Sequence, residues 1–145
     1  MERWSDPAVI EKVLGSYSTW GVVGCSDSPQ RPSYGVAMFL QRQGYDVICV
    51  NPNHEACIEG APCVPDLASS PQPVEVVDIF RRSEAVVPHV KEAIEIGAKA
   101  VWMQIGVISP EGAQLAADAG LDVVMDRCPK VEFRPDLHRP SASPR

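Results

Sequence analysis

Short apolar segments alternate with amphipathic segments along most of the chain. Continuous or nearly continuous apolar runs predict five β-strands, over residues 19–24, 46–51, 74–80, 99–104 and 121–125. The segments between them place apolar residues at helical spacing, and several end at a glycine. Because the runs leave no polar face, they are typical of a parallel sheet covered by helices on both sides.

This alternation predicts one α/β domain of the Rossmann-like, doubly wound type. Right-handed crossovers favour a five-stranded parallel sheet with the strand order 3-2-1-4-5. We assign residues 1–133 to the domain and residues 134–145, which contain three prolines, to a flexible C-terminal tail. Ligands of such sheets bind beyond the carboxyl ends of the strands, where the order reverses. We therefore expect four segments to converge there, over residues 24–35, 51–52, 80–81 and 104–106, with Gly24, Asn51, Phe80 and Gln104 at the strand ends.

The loop between the first strand and the next helix has the composition of an anion site. It contains five candidate contacts, namely Gly24, Ser26, Arg31, Ser33 and Gly35. A helix N-terminus offers unpaired N–H groups and a partial positive charge, which favour phosphate. Gly35 would permit close approach, and Arg31 could add a charge-assisted hydrogen bond. We expect Asp27 to face solvent, since it would repel an anion. The alternative is that Gly24 only ends a strand and the serines satisfy turns.

The same loop differs from the ordinary dinucleotide-binding fingerprint. That fingerprint places three glycines within six residues, whereas Gly24 and Gly35 stand eleven positions apart. It also places an acidic residue at the end of the second strand, to bind ribose hydroxyls. Here the position is Asn51, followed by Pro52. NAD therefore loses its characteristic partner, although a small NAD-type oxidoreductase stays open as an alternative.

Five segments, in the same order along the chain, carry a resemblance to a known family. They are VVGCS at 22–26, YDVICVNP at 45–52, VVDIFRR at 76–82, GAKAVWMQ at 97–104 and DRCPKVE at 126–132. Together they resemble the small CoA-binding-domain proteins, over about residues 15–133. That family is similar in fold to the CoA-binding domain of the succinyl-CoA synthetase α subunit. The resemblance implies that the ADP portion of coenzyme A lies across the carboxyl ends of the strands.

The resemblance also implies which residues form the site. They are Gly24, Cys25, Ser26, Arg31, Ser33, Tyr34, Gly35, Asn51, Pro52, Phe80, Arg81 and Gln104. Of these, the 24–35 loop would hold the phosphates, residues 51–52 and 80–81 would flank the adenosine, and Gln104 would line the cleft. Two positions depart from the family pattern. Cys25 stands where alanine is common, and Asn53-His54 stand where a basic residue is common, which removes a cationic contact for the 3′-phosphate.

No catalytic or metal-binding set accompanies this site in the sequence. The related ligases need a second domain with a phosphorylated histidine, whereas we expect the three histidines here to be solvated surface residues. Cys128 is interpreted as a small buried residue at a strand end rather than as a reactive thiol. For Cys25, a mixed disulfide with the thiol of coenzyme A is an alternative interpretation. We therefore expect a non-catalytic module that binds coenzyme A or an acyl-CoA. The alternatives are the oxidoreductase, a detached acyl-CoA ligase subunit, and a scaffold with a vestigial cleft.

Charge and cysteine content indicate which partners and which cellular location the protein has. The formal net charge of −6 argues against broad contact with nucleic acid or an anionic membrane. No apolar run approaches the ~20 residues of a membrane span, and the N-terminus lacks the apolar segment of a signal peptide. An odd number of cysteines without such a segment favours reduced thiols and a cytoplasmic location. A homo-oligomer and a ligase-like partner protein are both compatible with this interpretation.

Overall fold

A parallel six-stranded sheet forms the centre of the molecule. The computed structural model describes residues 3–53, 58–135 and 138. The strands are β1 (Thr19–Val23), β2 (Asp46–Val50), β3 (Cys63–Val64), β4 (Val76–Ile79), β5 (Ala100–Met103) and β6 (Asp122–Val124). Their order is β3-β2-β1-β4-β5-β6, and every neighbouring pair is parallel. The predicted Rossmann-like, doubly wound fold is confirmed.

The sheet contains one strand more than the sequence predicts. The short strand β3 lies outside β2, at the sheet edge to which the predicted order assigns the third strand, residues 74–80. That predicted strand is β4 and pairs with β1 instead. Two residues in a proline-rich segment give no periodic signal, because alternation is detectable only over about four or more residues. The position where the strand order reverses therefore lies between β1 and β4.

Five α-helices cover the sheet in the described part of the chain. They are α1 (Pro7–Ser16), α2 (Pro32–Arg42), α3 (Val86–Glu95), α4 (Pro110–Asp118) and the short α5 (Pro129–Glu132), which the sequence does not predict. Two of them begin with an N-cap side chain followed by proline. Asp6 Oδ1 accepts from the Ala8 N–H at 2.9 Å, and Ser109 Oγ accepts from the Gly112 N–H at 3.0 Å.

Apolar side chains form a core on each face of the sheet. Helices α3 and α4 pack on one face, whereas α1, α2 and residues around α5 pack on the other. Trp20 and Trp102 are fully buried on the second face, with ring centroids 5.5 Å apart. Full burial of one large apolar side chain stabilises the fold by about 1.5–3 kcal/mol. The two cores therefore hold the strand ends in fixed positions.

The strand register brings four strand ends level with one another. The last residues of four strands pair across the sheet: Val23, Val50, Ile79 and Met103. The residues that follow them consequently emerge at the same edge: Gly24, Asn51, Phe80 and Gln104. Backbone bonds continue this alignment, since the Gly24 N–H donates to Val50 and the Phe80 N–H donates to Val23.

Other sequence-based expectations have mixed outcomes. In the described parts of the chain, no helix has the length and apolar character needed to cross a bilayer. Cys63 is disulfide-bonded, so the expectation of uniformly reduced thiols is wrong, whereas Cys25, Cys49 and Cys128 are free. His138 is buried rather than solvated, and its Nδ1 accepts from the Arg134 N–H at 2.8 Å. The prediction for His54 and most of the prediction for the tail lie outside the described residues.

Candidate functional site

A cleft of about 1000 Å³ opens at the carboxyl edge of the sheet. Eight of the residues predicted for the site line it: Gly24, Ser26, Arg31, Ser33, Asn51, Phe80, Arg81 and Gln104. The predicted convergence of four strand ends is therefore confirmed. The cleft lies where the strand order reverses, at the position that doubly wound sheets use for ligands.

Gly24 lets the loop leave β1 close to the neighbouring strand end. Its φ of +85° is in the left-handed region that favours glycine. A Cβ at this position would overlap the carbonyl oxygen of Phe80 and lie 3.2 Å from Cδ of Arg81. The glycine is therefore required both by its backbone conformation and by the close passage of β4.

The loop after Gly24 is held in shape by its own hydroxyl groups. The Ser28 N–H donates to Ser26 Oγ at 3.0 Å, and Ser28 Oγ lies 2.9 Å from Gln30 Oε1. The loop then reaches α2, where Arg31 is the N-cap residue but supplies no side-chain capping bond. Ser33, in the first turn, is buried and lines the cleft. The helix thus begins at the cleft wall without a side-chain cap from its N-cap residue.

Asn51 ties this loop to the end of β2. Its Nδ2 donates to the carbonyl oxygen of Cys25 at 2.7 Å, and its Oδ1 accepts from the Asn53 N–H at 2.9 Å. Each bond joins the strand end to a different segment of backbone. The asparagine that replaces an acidic residue at this position therefore also has a structural role, which the sequence alone did not indicate.

The cleft concentrates positive charge in an acidic protein. Three arginines line it, Arg31, Arg81 and Arg82, against one aspartate, Asp27. Asp27 is exposed, as expected, yet it also forms part of the lining. Arg82 lies 4.0 Å from Glu84, and both side chains are largely exposed, so this pair is weak. The local excess of guanidinium groups favours an anionic ligand.

A buried carboxyl group lies beneath the cleft. Asp78 on β4 is completely buried, and Gln104 Nε2 donates to its Oδ1 at 2.8 Å. Its other oxygen, Oδ2, has no hydrogen-bond partner in the structure. Burial raises the pKa of Asp78 to about 7, and the bond from Gln104 opposes part of this rise.

Four predicted site residues are not part of this lining. Pro52 lines a neighbouring cavity of about 430 Å³. His89 lines the same cavity, and its pKa is lowered mainly by burial and, to a smaller extent, by the positive charge of Arg81. Tyr34 and Gly35 lie in the first turns of α2 outside both cavities. Cys25 is fully buried, because the chain turns after Gly24 and directs this side chain into the core.

The environment of Cys25 makes it a poor nucleophile. Its sulfur lies 2.8 Å from the sulfur of Cys49, which is also fully buried. The hydrogen bond with Cys49, together with burial, raises the pKa of the Cys25 thiol. Cys128, by contrast, is only half-buried and lines the cleft, so the expectation of a simply buried residue is wrong for it.

Several lining residues were not included in the predicted set. They are Asp27, Ser28, Pro32, Val36, Arg82, Ile105, Val107 and Cys128. The first four belong to the predicted loop and helix start, so their proximity follows from the loop itself. Ile105 lies in the segment 104–106 that was expected to converge at the cleft. Val107 follows β5 and Cys128 follows β6, so the rule that selected Gln104 would also find them if it were extended past the strand ends.

The sequence and structure of this chain are similar to those of several known proteins. Residues 18–134 match the CoA binding domain family. The uncharacterized protein YneT of Bacillus subtilis (strain 168) is 36% identical over 124 residues, which cover 86% of this chain and 91% of that protein. A hypothetical protein from Pyrococcus horikoshii OT3 has a TM-score of 0.82 and 36% identity, covering 87% of this chain and 88% of that one.

A more distant structural neighbour is a much longer enzyme. The apo form of the dinucleotide forming acetyl-coenzyme A synthetase 1 of Ca. Korarchaeum cryptofilum has a TM-score of 0.65 at 22% identity. The match covers 77% of this chain but 26% of the synthetase, and at this identity it supports the fold alone. The protein is thus a doubly wound α/β domain with a cleft at the carboxyl edge of its sheet. Within that class, the chain belongs to the CoA binding domain family.

Proposed function

We propose that the protein is a module that binds coenzyme A without catalysing a reaction on it. The observation that carries the proposal is the charge of the cleft, where three arginines face one aspartate in a chain with a formal net charge of −6. Coenzyme A carries a pyrophosphate and a 3′-phosphate, and charge-assisted hydrogen bonds from guanidinium groups to phosphate are strong. Membership of the CoA binding domain family supports the same ligand.

In this proposal the ADP portion lies across the ends of β1, β2 and β4. The pyrophosphate would lie against the Ser26–Ser28 turn and the start of α2, within reach of Arg31. Phe80, which is half-buried at the end of β4, offers a ring face to the adenine. Arg81 and Arg82 provide the cations for the 3′-phosphate, in place of the basic residue that is missing after Asn51.

A binding role is favoured over a catalytic one by the chemistry of the lining. Among the described residues of the cleft, hydroxyl, guanidinium and apolar groups predominate. The Korarchaeum protein that shares the fold is named an acetyl-coenzyme A synthetase, but this chain covers 26% of its length. A detached subunit of an acyl-CoA ligase is the second form that the proposal takes.

Ligand-dependent thermal stability tests the proposal directly. A ligand at 100 times its Kd stabilises the native state by roughly 2.7 kcal/mol. For a domain of this size the expected rise in Tm is about 5–10 °C. We expect such a rise with saturating coenzyme A or acetyl-CoA, and little with equimolar NAD or NADP, because Asn51 supplies no carboxylate for the NAD ribose.

Native mass spectrometry of freshly purified protein provides a second measurement. It should detect a retained adduct with the mass of coenzyme A or of an acyl-CoA, and the acyl mass would identify the group carried. If NAD raised the Tm as much as coenzyme A, the assignment would fail and the oxidoreductase alternative would take its place.

A further inference from the structure

The buried carboxyl group of Asp78 has no role in the contacts proposed so far. It lies on β4 in register with Val22 and Trp102 of the two adjacent strands, and none of its surface is exposed. A buried carboxylate is costly unless both of its oxygens are hydrogen-bonded. Asp78 bonds through Oδ1 only, and Oδ2 is without a partner in the structure. A fold that retains such a group beside a cleft points to a role for it.

The hydrogen bond from Gln104 to Asp78 determines which atom of the Gln104 amide faces the cleft. An ionised carboxylate can only accept hydrogen bonds, so Gln104 must direct Nε2 toward Asp78. Since Gln104 lines the cleft and its Nε2 is engaged, Oε1 is the polar side-chain atom that it offers to a ligand. The pKa of Asp78, raised by burial to about 7, leaves the carboxylate form dominant at pH 8 and above.

An acceptor at this position discriminates between parts of the ligand. Phosphate oxygens are also acceptors, so a carbonyl oxygen repels them and leaves them to the arginines. Next to Gln104 the lining is apolar, with Ile105 and Val107. The matching ligand segment therefore carries N–H donors on a largely apolar chain. The pantetheine arm of coenzyme A, with its amide groups, has this chemistry, whereas ADP lacks the arm.

We propose that Asp78 is a positioning residue that holds Gln104 with Oε1 toward the cleft, where this oxygen accepts a hydrogen bond from an amide N–H of the pantetheine arm. This inference rests on the coenzyme A binding proposed above. It assigns to the aspartate of the VVDIFRR segment a role in ligand selection rather than in folding alone.

The test compares two ligands in two proteins by isothermal titration calorimetry at pH 8. In the Asp78→Asn variant the new amide can donate to Oε1 and turn Gln104 around. We expect the affinity for coenzyme A to fall three- to tenfold, the scale of one neutral hydrogen bond. The affinity for ADP should stay within twofold of the wild-type value. Equal losses for both ligands would overturn the positioning role while leaving coenzyme A binding intact.

A double-mutant cycle separates positioning from a general structural effect. Gln104→Met removes both polar atoms at similar side-chain length, and it should itself reduce coenzyme A affinity selectively. In that background, Asp78→Asn should cause no further loss, because Asp78 acts only through Gln104. A full additional loss in the double variant would contradict the proposal. If Asp78→Asn did not fold, Gln104→Met alone would decide: a selective loss for coenzyme A supports the proposal, and an equal loss for ADP overturns it.

The wild-type measurements distinguish this inference from the function on which it rests. Wild-type protein that bound neither coenzyme A nor ADP would overturn both proposals together. Wild-type protein that bound both ligands, with variants that changed neither affinity, would overturn only the role of Asp78.

Discussion

The side-chain amide of Asn51 donates a 2.7 Å hydrogen bond to the backbone carbonyl of Cys25, so the end of β2 and the start of the cleft loop are directly joined. The amide oxygen is also engaged, by the Asn53 N–H. This use of both ends of the amide makes Asn51 part of the scaffold of the cleft. Substitution of this residue therefore affects loop position as well as local charge.

Asn51→Asp should weaken both the fold and the response to ligand. The carboxylate cannot donate to Cys25, and it brings a negative charge to the cleft wall. Loss of this bond leaves the carbonyl oxygen of the buried Cys25 unpaired, which costs about 1–3 kcal/mol. We expect a lower Tm without ligand and a rise with coenzyme A of less than half the wild-type value, measured by differential scanning fluorimetry.

Asn53→Asp is the matched control for this substitution. It adds the same charge two residues away at an exposed position, and it leaves the bond between Asn51 and Cys25 in place. If the two variants behaved alike, charge alone would explain the effect and the hydrogen bond would have no measurable role.

Arg31→Ala should reduce coenzyme A affinity about ten- to hundredfold. This range corresponds to the 1.5–3 kcal/mol expected for a hydrogen bond to a charged group. Arg42→Ala is a suitable comparison, because Arg42 lies in the last turn of the same helix, is exposed, and does not line the cleft. Calorimetric titration of both variants should find a loss for the first and wild-type affinity for the second. Equal affinities in the two variants would remove Arg31 from the site.

Gly24→Ala should destabilise the protein strongly. The substitution combines a φ of +85° with overlap between the new Cβ and the carbonyl oxygen of Phe80. We expect a loss of at least about 2 kcal/mol in the free energy of unfolding, on the scale of strained backbone positions. Urea denaturation followed by circular dichroism would measure it.

Gly35→Ala should increase the free energy of unfolding in the same assay, whereas Gly24→Ala decreases it. Gly35 is helical, and a Cβ there would meet no atom within 4 Å. Alanine in a helix is more stable than glycine by roughly 0.5–1 kcal/mol. Destabilisation of similar size in both variants would contradict the distinct environments of the two glycines.

Asp78→Asn should change how stability depends on pH. The pKa of Asp78 is raised from its ordinary value near 3.8 to about 7 in the folded protein, mainly by burial. Between these values the unfolded chain loses this proton while the folded protein keeps it, so the contribution of Asp78 to stability decreases as pH rises. The slope is at most about 1.4 kcal/mol per pH unit.

Urea denaturation at several pH values from 4 to 8 would measure this difference. The stability of the variant relative to wild type should increase from pH 4 to pH 7 and then level off. A difference that stayed constant over this range would show that Asp78 is not protonated preferentially in the folded state.

Among the three free thiols in the described part of the chain, that of Cys128 should be the first to react with an alkylating reagent. It lines the cleft and is half-exposed, whereas Cys25 and Cys49 are fully buried. Peptide mapping after brief treatment with iodoacetamide would measure the order. Bound coenzyme A should slow the labelling of Cys128, and unfolding in urea should make all three thiols react at similar rates. Undiminished labelling in the presence of saturating ligand would indicate that the ligand does not cover this part of the cleft.

The sheet and the centre of the site could be predicted because both depend on long, regular signals. Continuous apolar runs identify buried strands without reference to any contact. Parallel strands with right-handed crossovers then require their carboxyl ends to meet at one edge. Gly24 and Gln104 lie 80 positions apart in the sequence, yet this rule alone predicts that they share a cleft, and they do.

The features that were missed depend on the local path of the chain or on tertiary contacts. Strand β3 and helix α5 contain two and four residues, too few for a periodic pattern. The burial of Cys25 depends on how the chain turns after a glycine with positive φ, which the sequence does not define. The bond between Asp78 and Gln104 connects adjacent strands, and the pattern of apolar positions contains no information about such a pair.

The opposite signs of the whole chain and of its cleft also affect the rate of ligand capture. At physiological ionic strength the Debye length is about 8 Å, so a polyanion approaching from solution feels little of the net negative charge until it is near the arginines. At very low ionic strength the Debye length is about 30 Å, and away from the cleft the net charge of −6 outweighs the local excess of positive charge, so the ligand is repelled over this distance. Association should therefore be fastest at intermediate salt, whereas ordinary electrostatic steering gives its highest rates at the lowest salt.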